Sequence, residues 1–406
     1  MFALLLTLAA VGPATEPGDA PFVVSTTEGK EIVGRLLRLG PDFTATVARK
    51  GREVTLPGVL TLRRAGRPVP PFPTGPQLIT VNGDRLAGEL LGGGPRLRFR
   101  PTAASLPEGT AWLLPVTAVL AVWLTDLPAD TPPDPSRYGW VEGTRNRDLL
   151  RLRNGDVVRG TVLGFGPPAA QPAIQFRPEV GEPFVVGRKE LAAVVLNPAL
   201  ARGRKPKGPY ARVVLSDGSR LDLDTPALAD DTLTGETLFG QRVELRLDAV
   251  LALQVLQGKA TYLSDLKPSK VEQAGFLQVT WPWAADRTTD GAGLLLDMGG
   301  SATFYDKGLG TRPRSVLTYE LAGKYQRFEA TVGRPAGGGR GTPLIRVLVD
   351  GKPRLGGSGA DQSSAVRLPA TLRIDVSGAK ELVLEVDFAP GGGGSEVLWG
   401  DARLIE

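Results

Sequence analysis

The side chains that could carry out chemistry in this chain of 406 residues are restricted by what the chain lacks. It contains no histidine and no cysteine, so neither a Ser-His-Asp nor a Cys-His nucleophile can be assembled, nor a zinc site of the usual Cys/His type. Asp, Glu, Lys, Arg, Tyr and Ser remain. They suffice for a glycosidase with two catalytic carboxylates or for a calcium site with oxygen ligands. The composition therefore weakens an enzymatic function without excluding it.

Acidic and amide residues recur beside glycine at one spacing. Residues 28–34, 82–88 and 154–160 each carry two glycines five positions apart, and residues 217–221 form a degenerate copy in which Leu223 replaces the second glycine. A calcium loop needs a sustained spacing of oxygen ligands, which these copies lack, so turn chemistry is favoured over metal ligation. We expect a hairpin with two positive-φ residues in a type I′ turn, and a second glycine that marks a bulge or bend.

Each copy continues with another strand pair and a Val/Leu-rich segment. The sequence predicts four small β-barrel or β-meander modules in tandem, two within residues 21–126 and two within 148–258. Residues 127–147 are rich in proline and predict a linker, and residues 67–76 predict a semi-rigid spacer. Trp112 and Trp123 lie within apolar strand segments, which indicates core packing.

The chain begins with an apolar run from Phe2 to Val11 followed by small residues. This length is typical of the core of a signal peptide and is too short to span a bilayer. Residues 1–20 therefore predict a leader cleaved near Ala10 or Ala14, and a secreted or periplasmic/cell-envelope protein. A buried first strand is the alternative. No other segment is long and apolar enough to predict a transmembrane span.

The net charge of +5 does not favour nucleic-acid binding. The basic residues cluster densely only between Arg202 and Arg212, in a connection punctuated by glycine and proline and without an aromatic platform. This pattern predicts a solvated linker. Attraction to anionic polymers of a cell envelope is the alternative.

The last third of the chain has the alternation of half-buried strands. Residues 315–321 and 325–332 flank an Ala-Gly-Lys turn and predict a β-hairpin, and residues 344–349, 370–376 and 382–388 predict further strands. Five phrases occur here in order: YLSDL (262–266), KGLG (307–310), KYQRFEATVG (324–333), VSGAKEL (376–382) and WGDARL (399–404). Together they resemble the NPCBM/NEW2 family of carbohydrate-binding modules over residues 259–406.

The resemblance implies a jelly-roll-like β-sandwich of two antiparallel sheets, so the fold class expected for the whole chain is all-β. Members of the family bind sugars, some bind calcium, and the module itself is not catalytic. Calcium is therefore a cofactor implied only by the resemblance. Three positions depart from the family pattern: Arg312 stands where histidine is common, and Arg334-Pro335 stand where acidic residues are common.

Sugar recognition needs an aromatic face against the C–H face of the ring, and charged or amide groups for the hydroxyls. Trp281 and Trp283 would share one face of a strand and could form such a platform, with core packing as the alternative. Trp399 is expected in the core. The candidate ligand-binding residues are Trp281, Trp283, Tyr305, Asp306, Arg312 and Arg314.

Three functions are compatible with these observations. The first is an exported, non-catalytic carbohydrate-binding protein whose C-terminal β-sandwich contacts a glycan or polysaccharide. The second is a structural or adaptor protein of the envelope whose β-sandwich contacts protein partners. The third is a glycosidase with two carboxylates, and no acidic pair in the modules stands in a phrase typical of that chemistry.

Overall fold

The computed structural model describes residues 20–102, 106, 109–125, 146–166, 173–275, 281–338, 341, 343–355, 366–389 and 395–406. Regular structure in these residues consists of β-strands and short 3-10 turns, which confirms the all-β prediction. The predicted leader lies outside the described residues except for Ala20, as does the predicted linker except for residues 146 and 147. The described part of the chain contains no helix long and apolar enough to cross a membrane.

The four modules are built from twenty strands, five in each. The first module comprises β1 (Phe22–Thr26), β2 (Glu31–Leu39), β3 (Ala45–Arg49), β4 (Arg52–Leu56) and β5 (Val59–Arg64). The second comprises β6 (Gln77–Thr80), β7 (Arg85–Gly93), β8 (Arg96–Pro101), β9 (Trp112–Pro115) and β10 (Val119–Trp123). The third comprises β11 (Asp148–Leu152), β12 (Val157–Phe165), β13 (Ala173–Pro178), β14 (Phe184–Gly187) and β15 (Leu191–Val195). The fourth comprises β16 (Tyr210–Leu215), β17 (Arg220–Ala229), β18 (Thr232–Thr237), β19 (Arg242–Arg246) and β20 (Val250–Leu256).

All four modules share one topology. The first four strands form an antiparallel meander, and the fifth strand returns to pair with the first. The first module also pairs with the fourth through β5 and β20, and the second pairs with the third through β10 and β15. A bridge between β7 and β17 joins the two pairs. The repeats therefore form one continuous twenty-stranded sheet around a shared apolar core, with Trp112 in that core and Trp123 also buried.

The turn in each repeat has three loop residues, whereas the sequence predicted two. In the second module the N–H of Thr80 donates to the carbonyl oxygen of Asp84, and the N–H of Gly83 donates to that of Thr80. The loop therefore has three residues, and only its glycine has positive φ, at 96°. A type I turn followed by a left-handed glycine has this geometry, so the prediction of a two-residue type I′ turn was wrong.

The second glycine of each phrase is required by close approach of the neighbouring strand. At Gly160 a Cβ atom would lie 2.1 Å from the carbonyl oxygen of Arg177 and 2.7 Å from the Phe176 ring. A bulge or bend is predicted at this glycine, and the register shift of the strand lies further along it, between Val162 and Gly164. A side chain at position 160 would therefore push β12 away from β13.

Thirteen strands follow the modules in the described residues. They are β21 (Ala260–Tyr262), β22 (Lys270–Gln273), β23 (Ala284–Ala285), β24 (Leu294–Asp297), β25 (Ala302–Tyr305), β26 (Gly308–Thr311), β27 (Ser315–Glu320), β28 (Arg327–Gly333), β29 (Leu344–Val349), β30 (Lys352–Leu355), β31 (Ala370–Asp375), β32 (Glu381–Asp387) and β33 (Val397–Ile405). One sheet has the order β23-β26-β33-β28-β31, with β21 beside β33, and the other has the order β22-β27-β32-β29-β30. The strands β24 and β25 form a separate hairpin. The two larger sheets enclose a second apolar core, in which Trp399 is fully buried as predicted.

The predicted hairpin of residues 315–332 does not form. Strand β27 pairs with β22 and β32, whereas β28 pairs with β31 and β33, so the two strands lie in opposite sheets. The segment that connects β27 to β28 forms hydrogen bonds with a distant loop instead. The N–H groups of Leu321 and Gly323 donate to the carbonyl oxygens of Lys380 and Ala379, respectively. Alternation identifies the buried face of each strand but not its partner, which is why the sequence suggested the wrong pairing.

Candidate functional site

A cavity of about 520 Å³ opens at one end of the sandwich. Its walls come from the loops at residues 288–293, 335–338 and 395–396, together with Phe304 of β25 and Arg312, which follows β26. One wall residue, Pro71, belongs to the N-terminal half of the chain. The volume lies in the range of about 300–1,000 Å³ that is common for small-ligand sites.

The first loop of the pocket is closed by its own hydrogen bonds. The N–H of Thr288 donates to the carbonyl oxygen of Ala292 over 2.7 Å, and the hydroxyl of Thr288 donates to the carboxylate of Asp290. This hydroxyl contact and the N–H of Ala292 lower the pKa of Asp290. Asp290 therefore presents an ionised carboxylate at the cavity wall at neutral pH.

Arg312 and Glu396 meet inside the pocket through Thr289. Nε of Arg312 donates to Oγ1 of Thr289 over 2.7 Å, and Nη2 lies 3.4 Å from Oε2 of Glu396. Oε1 of Glu396 accepts from the N–H of Thr289 over 2.5 Å. Burial raises the pKa of Glu396, and Arg312 offsets part of that effect. The three residues fix the guanidinium in one orientation at the cavity wall.

Trp281 lies beside this group at the surface. The guanidinium carbon of Arg312 is 4.6 Å from the centre of the Trp281 ring, and 42% of Trp281 is exposed. The carbonyl oxygen of Trp281 accepts from Nε2 of Gln273 over 2.9 Å. The structure therefore brings together two predicted residues, Trp281 and Arg312, as a stacked pair that carries both an aromatic face and hydrogen-bond donors.

Trp283 and Arg314 do not extend this pair. Trp283 packs against the sandwich core rather than beside Trp281, and residues 281–283 are not in a strand. The shared strand face that the sequence suggested is therefore absent. Arg314 is 60% exposed, and its Nε lies 3.9 Å from Oδ2 of Asp387. It does not line the cavity.

Tyr305 and Asp306, two further predicted ligand-binding residues, face the modules and do not line the cavity around Arg312. Tyr305 is 6% exposed, its ring packs against Gly400, and the Arg63 guanidinium lies over it at 4.7 Å. Asp306 is bound by Arg220 of β17 with an N···O distance of 3.1 Å, and both side chains are buried. These residues belong to the junction between the sandwich and the modules.

The signature phrases of the last third have a structural role here. Nζ of Lys307, in KGLG, contacts Asp265 of YLSDL at 2.5 Å and Asp286 at 2.8 Å. Burial alone would lower the pKa of Lys307, but the two carboxylates outweigh it and raise that pKa. The pairing ties three separate segments of the sandwich together.

The family resemblance implies calcium, but the described residues contain no cluster of acidic side chains that could bind it. There, no three Asp or Glu residues lie close enough together to hold a cation. We therefore assign no residue to a metal.

Sequence reasoning missed Thr288, Thr289, Asp290, Glu396 and Pro71. Thr288-Thr289-Asp290-Gly291 has the composition of a turn stabilised by its own side chains, and that pattern marked a loop but not a site. Glu396 follows a glycine-rich stretch and approaches Thr289 only in the folded chain. Nothing in the local sequence indicates that contact.

Comparison with known proteins agrees with the resemblance found in the sequence. Residues 259–405 match the family model described as NPCBM/NEW2 domain. No curated protein matches the chain. Solved structures that resemble it include the CBM51 from Clostridium perfringens GH95 in complex with methyl-galactose, at 23% identity and a TM-score of 0.30, covering 36% of this chain and 99% of that one. Another is CBM51-2 in complex with GlcNAc and INT domains from Clostridium perfringens ZmpB, at 22% identity and a TM-score of 0.31, covering 43% of this chain and 36% of that one. The tandem CBM51 modules of Sp3GH98, a family 98 glycoside hydrolase from Streptococcus pneumoniae SP3-BS71, match at 12% identity and a TM-score of 0.31, covering 95% of this chain and 92% of that one.

Proposed function

We propose that this chain, whose residues 259–405 form an NPCBM/NEW2 domain, is an exported, non-catalytic carbohydrate-binding protein that holds a glycan in the pocket around Arg312. The observation that carries the proposal is a stacked pair beside this pocket, in which the arginine lines the cavity and the tryptophan lies next to it at the surface, outside the lining. Arg312 lines the cavity, and its guanidinium lies 4.6 Å from the ring centre of the exposed Trp281. Aromatic faces and fixed polar groups are the two components that sugar recognition needs.

The polar groups of the pocket can form hydrogen bonds with the hydroxyl groups of a sugar. A guanidinium carries five N–H donors, and the contacts with Thr289 and Glu396 engage two of its nitrogens, so donors remain for a ligand. The ionised carboxylate of Asp290, also at the cavity wall, offers acceptors. Because these side chains are already held in place, little conformational entropy is lost on binding.

The two carboxylates of the pocket bear on the non-catalytic part of the proposal. Asp290 and Glu396 have pKa values shifted in opposite directions, a pattern that acid/base pairs of glycosidases also have. Here, however, both oxygens of Glu396 are engaged by Thr289 and Arg312, and Asp290 accepts within its own turn. Such bonds suit scaffolding better than proton transfer to a substrate.

A hydrolysis assay separates the two functions. We expect the full chain to release no nitrophenol from a panel of nitrophenyl glycosides. If it hydrolyses one of them and Glu396→Gln abolishes the activity, the protein is a glycosidase and the non-catalytic proposal is wrong.

Binding itself is tested on a printed glycan array with the full chain. We expect the wild type to bind a subset of glycans and Trp281→Ala and Arg312→Ala to lose that binding by about ten-fold or more, as expected for hot-spot residues. Arg314→Ala is the matched control, because Arg314 lies two positions further on and outside the cavity. Binding to no glycan at all would refute the proposal and favour the adaptor function with protein partners.

Export is a separate part of the proposal and rests on the apolar run from Phe2 to Val11. Mass spectrometry of the protein recovered from its native host should find a new N-terminus near Ala10 or Ala14. An intact Met1 on protein recovered from the cell interior would contradict export.

A further inference from the structure

The segment of residues 67–76, which joins the first two modules, lies against the sandwich. Oxygen atoms of Pro70 and Pro71 accept from Nη2 and Nη1 of Arg220 at 2.7 and 3.2 Å, and the N–H of Phe304 donates to the carbonyl oxygen of Val69 over 3.0 Å. The sequence predicted a spacer here. The structure shows a segment bound on both sides, because the same Arg220 also pairs with Asp306 of the sandwich.

Aromatic packing also holds this segment against the sandwich. The Phe72 ring meets the Phe304 ring edge-on, with their centres 4.9 Å apart. Arg220 lies over both rings, at 4.8 Å from Phe72 and 5.1 Å from Phe304. Val69 joins Phe304 in a small apolar cluster. Phe304 also lines the cavity, so the packing that anchors the segment continues into the pocket wall.

We propose that Pro71, although it belongs to the module half of the chain, completes the glycan pocket of the sandwich and contributes to the choice of glycan. The proposal rests on the function proposed above. Pro71 lines the cavity, and because its carbonyl oxygen is turned to Arg220, its ring is the part that can meet a ligand. A proline ring offers C–H groups and no N–H donor, so this wall favours an apolar edge of a sugar and disfavours a hydroxyl left without a partner.

The segment that supplies Pro71 to the cavity wall is also conformationally restricted. Proline fixes its own φ and restricts the residue before it, and the segment contains five prolines, at positions 68, 70, 71, 73 and 76. A ligand therefore meets a preformed surface, which avoids the ordering cost of a flexible loop. It follows that the sandwich and the modules act as one binding unit rather than as a binding domain on a spacer.

The first experiment compares Pro71→Ala with Pro68→Ala on the same printed glycan array, in the full chain. Pro68 lies in the same segment but is exposed and outside the cavity. We expect Pro71→Ala to weaken binding by about four-fold or more, the factor that corresponds to about 0.8 kcal/mol for one buried methylene group. Pro68→Ala should stay within about two-fold of the wild type, because a surface substitution away from the site usually changes the free energy by no more than about 0.5 kcal/mol.

A second measurement uses the absence of cysteine from the natural chain. In Pro71→Cys and Pro68→Cys variants the introduced thiol is the sole site of maleimide labelling. The free form of the array glycan with the highest signal, added at saturation, should slow labelling at position 71 several-fold and leave position 68 unchanged. This readout stays decisive even if Pro71→Ala folds poorly.

The outcomes distinguish the two proposals. Two results would overturn the role of Pro71 while leaving glycan binding, and its dependence on Trp281 and Arg312, intact. One is equal affinity of Pro71→Ala and Pro68→Ala for the glycan. The other is that added glycan changes the rate of labelling equally at positions 71 and 68. If the wild type binds no array glycan, the proposed function fails and the role of Pro71 fails with it.

Discussion

The buried ion pair between Arg220 and Asp306 should be the strongest single link between the modules and the sandwich. The side chain of Arg220 is fully buried and that of Asp306 is 5% exposed. Arg220 also donates to the carbonyl oxygens of Gly218, Pro70 and Pro71. Removal of one partner leaves the other charge buried and unpaired, which costs about 3–5 kcal/mol of the free energy of unfolding.

Four variants test this link. We expect Arg220→Met and Asp306→Asn each to lower the free energy of unfolding by about 3–5 kcal/mol, and the double variant to cost less than the sum by about 2 kcal/mol or more, because neither charge is then left unpaired. Arg246→Met is the control. Its pair with Asp248 is exposed and is worth less than about 1 kcal/mol.

Urea unfolding followed by tryptophan fluorescence is the appropriate assay. Urea is uncharged and does not screen ion pairs, unlike guanidinium chloride. Trp112 and Trp123 report on the modules, and Trp399 reports on the sandwich. If Arg220→Met costs no more than Arg246→Met, or if the single costs simply add, the two halves are not coupled through this pair and the reasoning is wrong.

Two further predictions concern the modules. Burial, and then the neighbouring Asp222, raise the pKa of Asp84 to about 7. An acid whose pKa is raised by folding holds its proton more tightly in the folded state. The free energy of unfolding should therefore fall as the pH rises from about 4 to about 7, by at most roughly 1.4 kcal/mol per pH unit. Urea unfolding at pH 5 and pH 8 should show the wild type less stable at pH 8, a difference that Asp84→Asn should largely remove, and an equal pH dependence in both proteins would contradict this. Gly160→Ala should cost about 2 kcal/mol, because its Cβ atom would overlap the backbone of β13. Gly164→Ala in the same strand has its nearest new contact at 3.8 Å and should change the free energy of unfolding by less than about 1 kcal/mol. Equal thermal midpoints for the two variants would refute the close-approach argument.

Much of the fold could be predicted because it depends on local patterns. Alternation of apolar residues located the strands β29, β31 and β32 to within about a residue, and recurrence of the glycine phrase revealed the four modules. These features depend on backbone conformation and on which face of a strand is buried.

Strand partners and the pocket could not be predicted in the same way. The strands β27 and β28 are neighbours in sequence but lie in opposite sheets, because hydrogen bonds to distant segments compete with the local turn. Tyr305 and Asp306 have the residue types of a ligand site, yet the modules cover them. A surface that is buried by another domain is invisible to a pattern search within one domain.

The central claim, that the pocket around Arg312 binds glycan, is tested most directly by a crystal structure of the full chain soaked with the glycan that gives the highest array signal. We expect a sugar ring against Trp281, with hydroxyls about 2.7–3.2 Å from the Arg312 guanidinium or the Asp290 carboxylate, the usual hydrogen-bond range. A glycan bound elsewhere on the protein while this pocket stays empty would contradict the account.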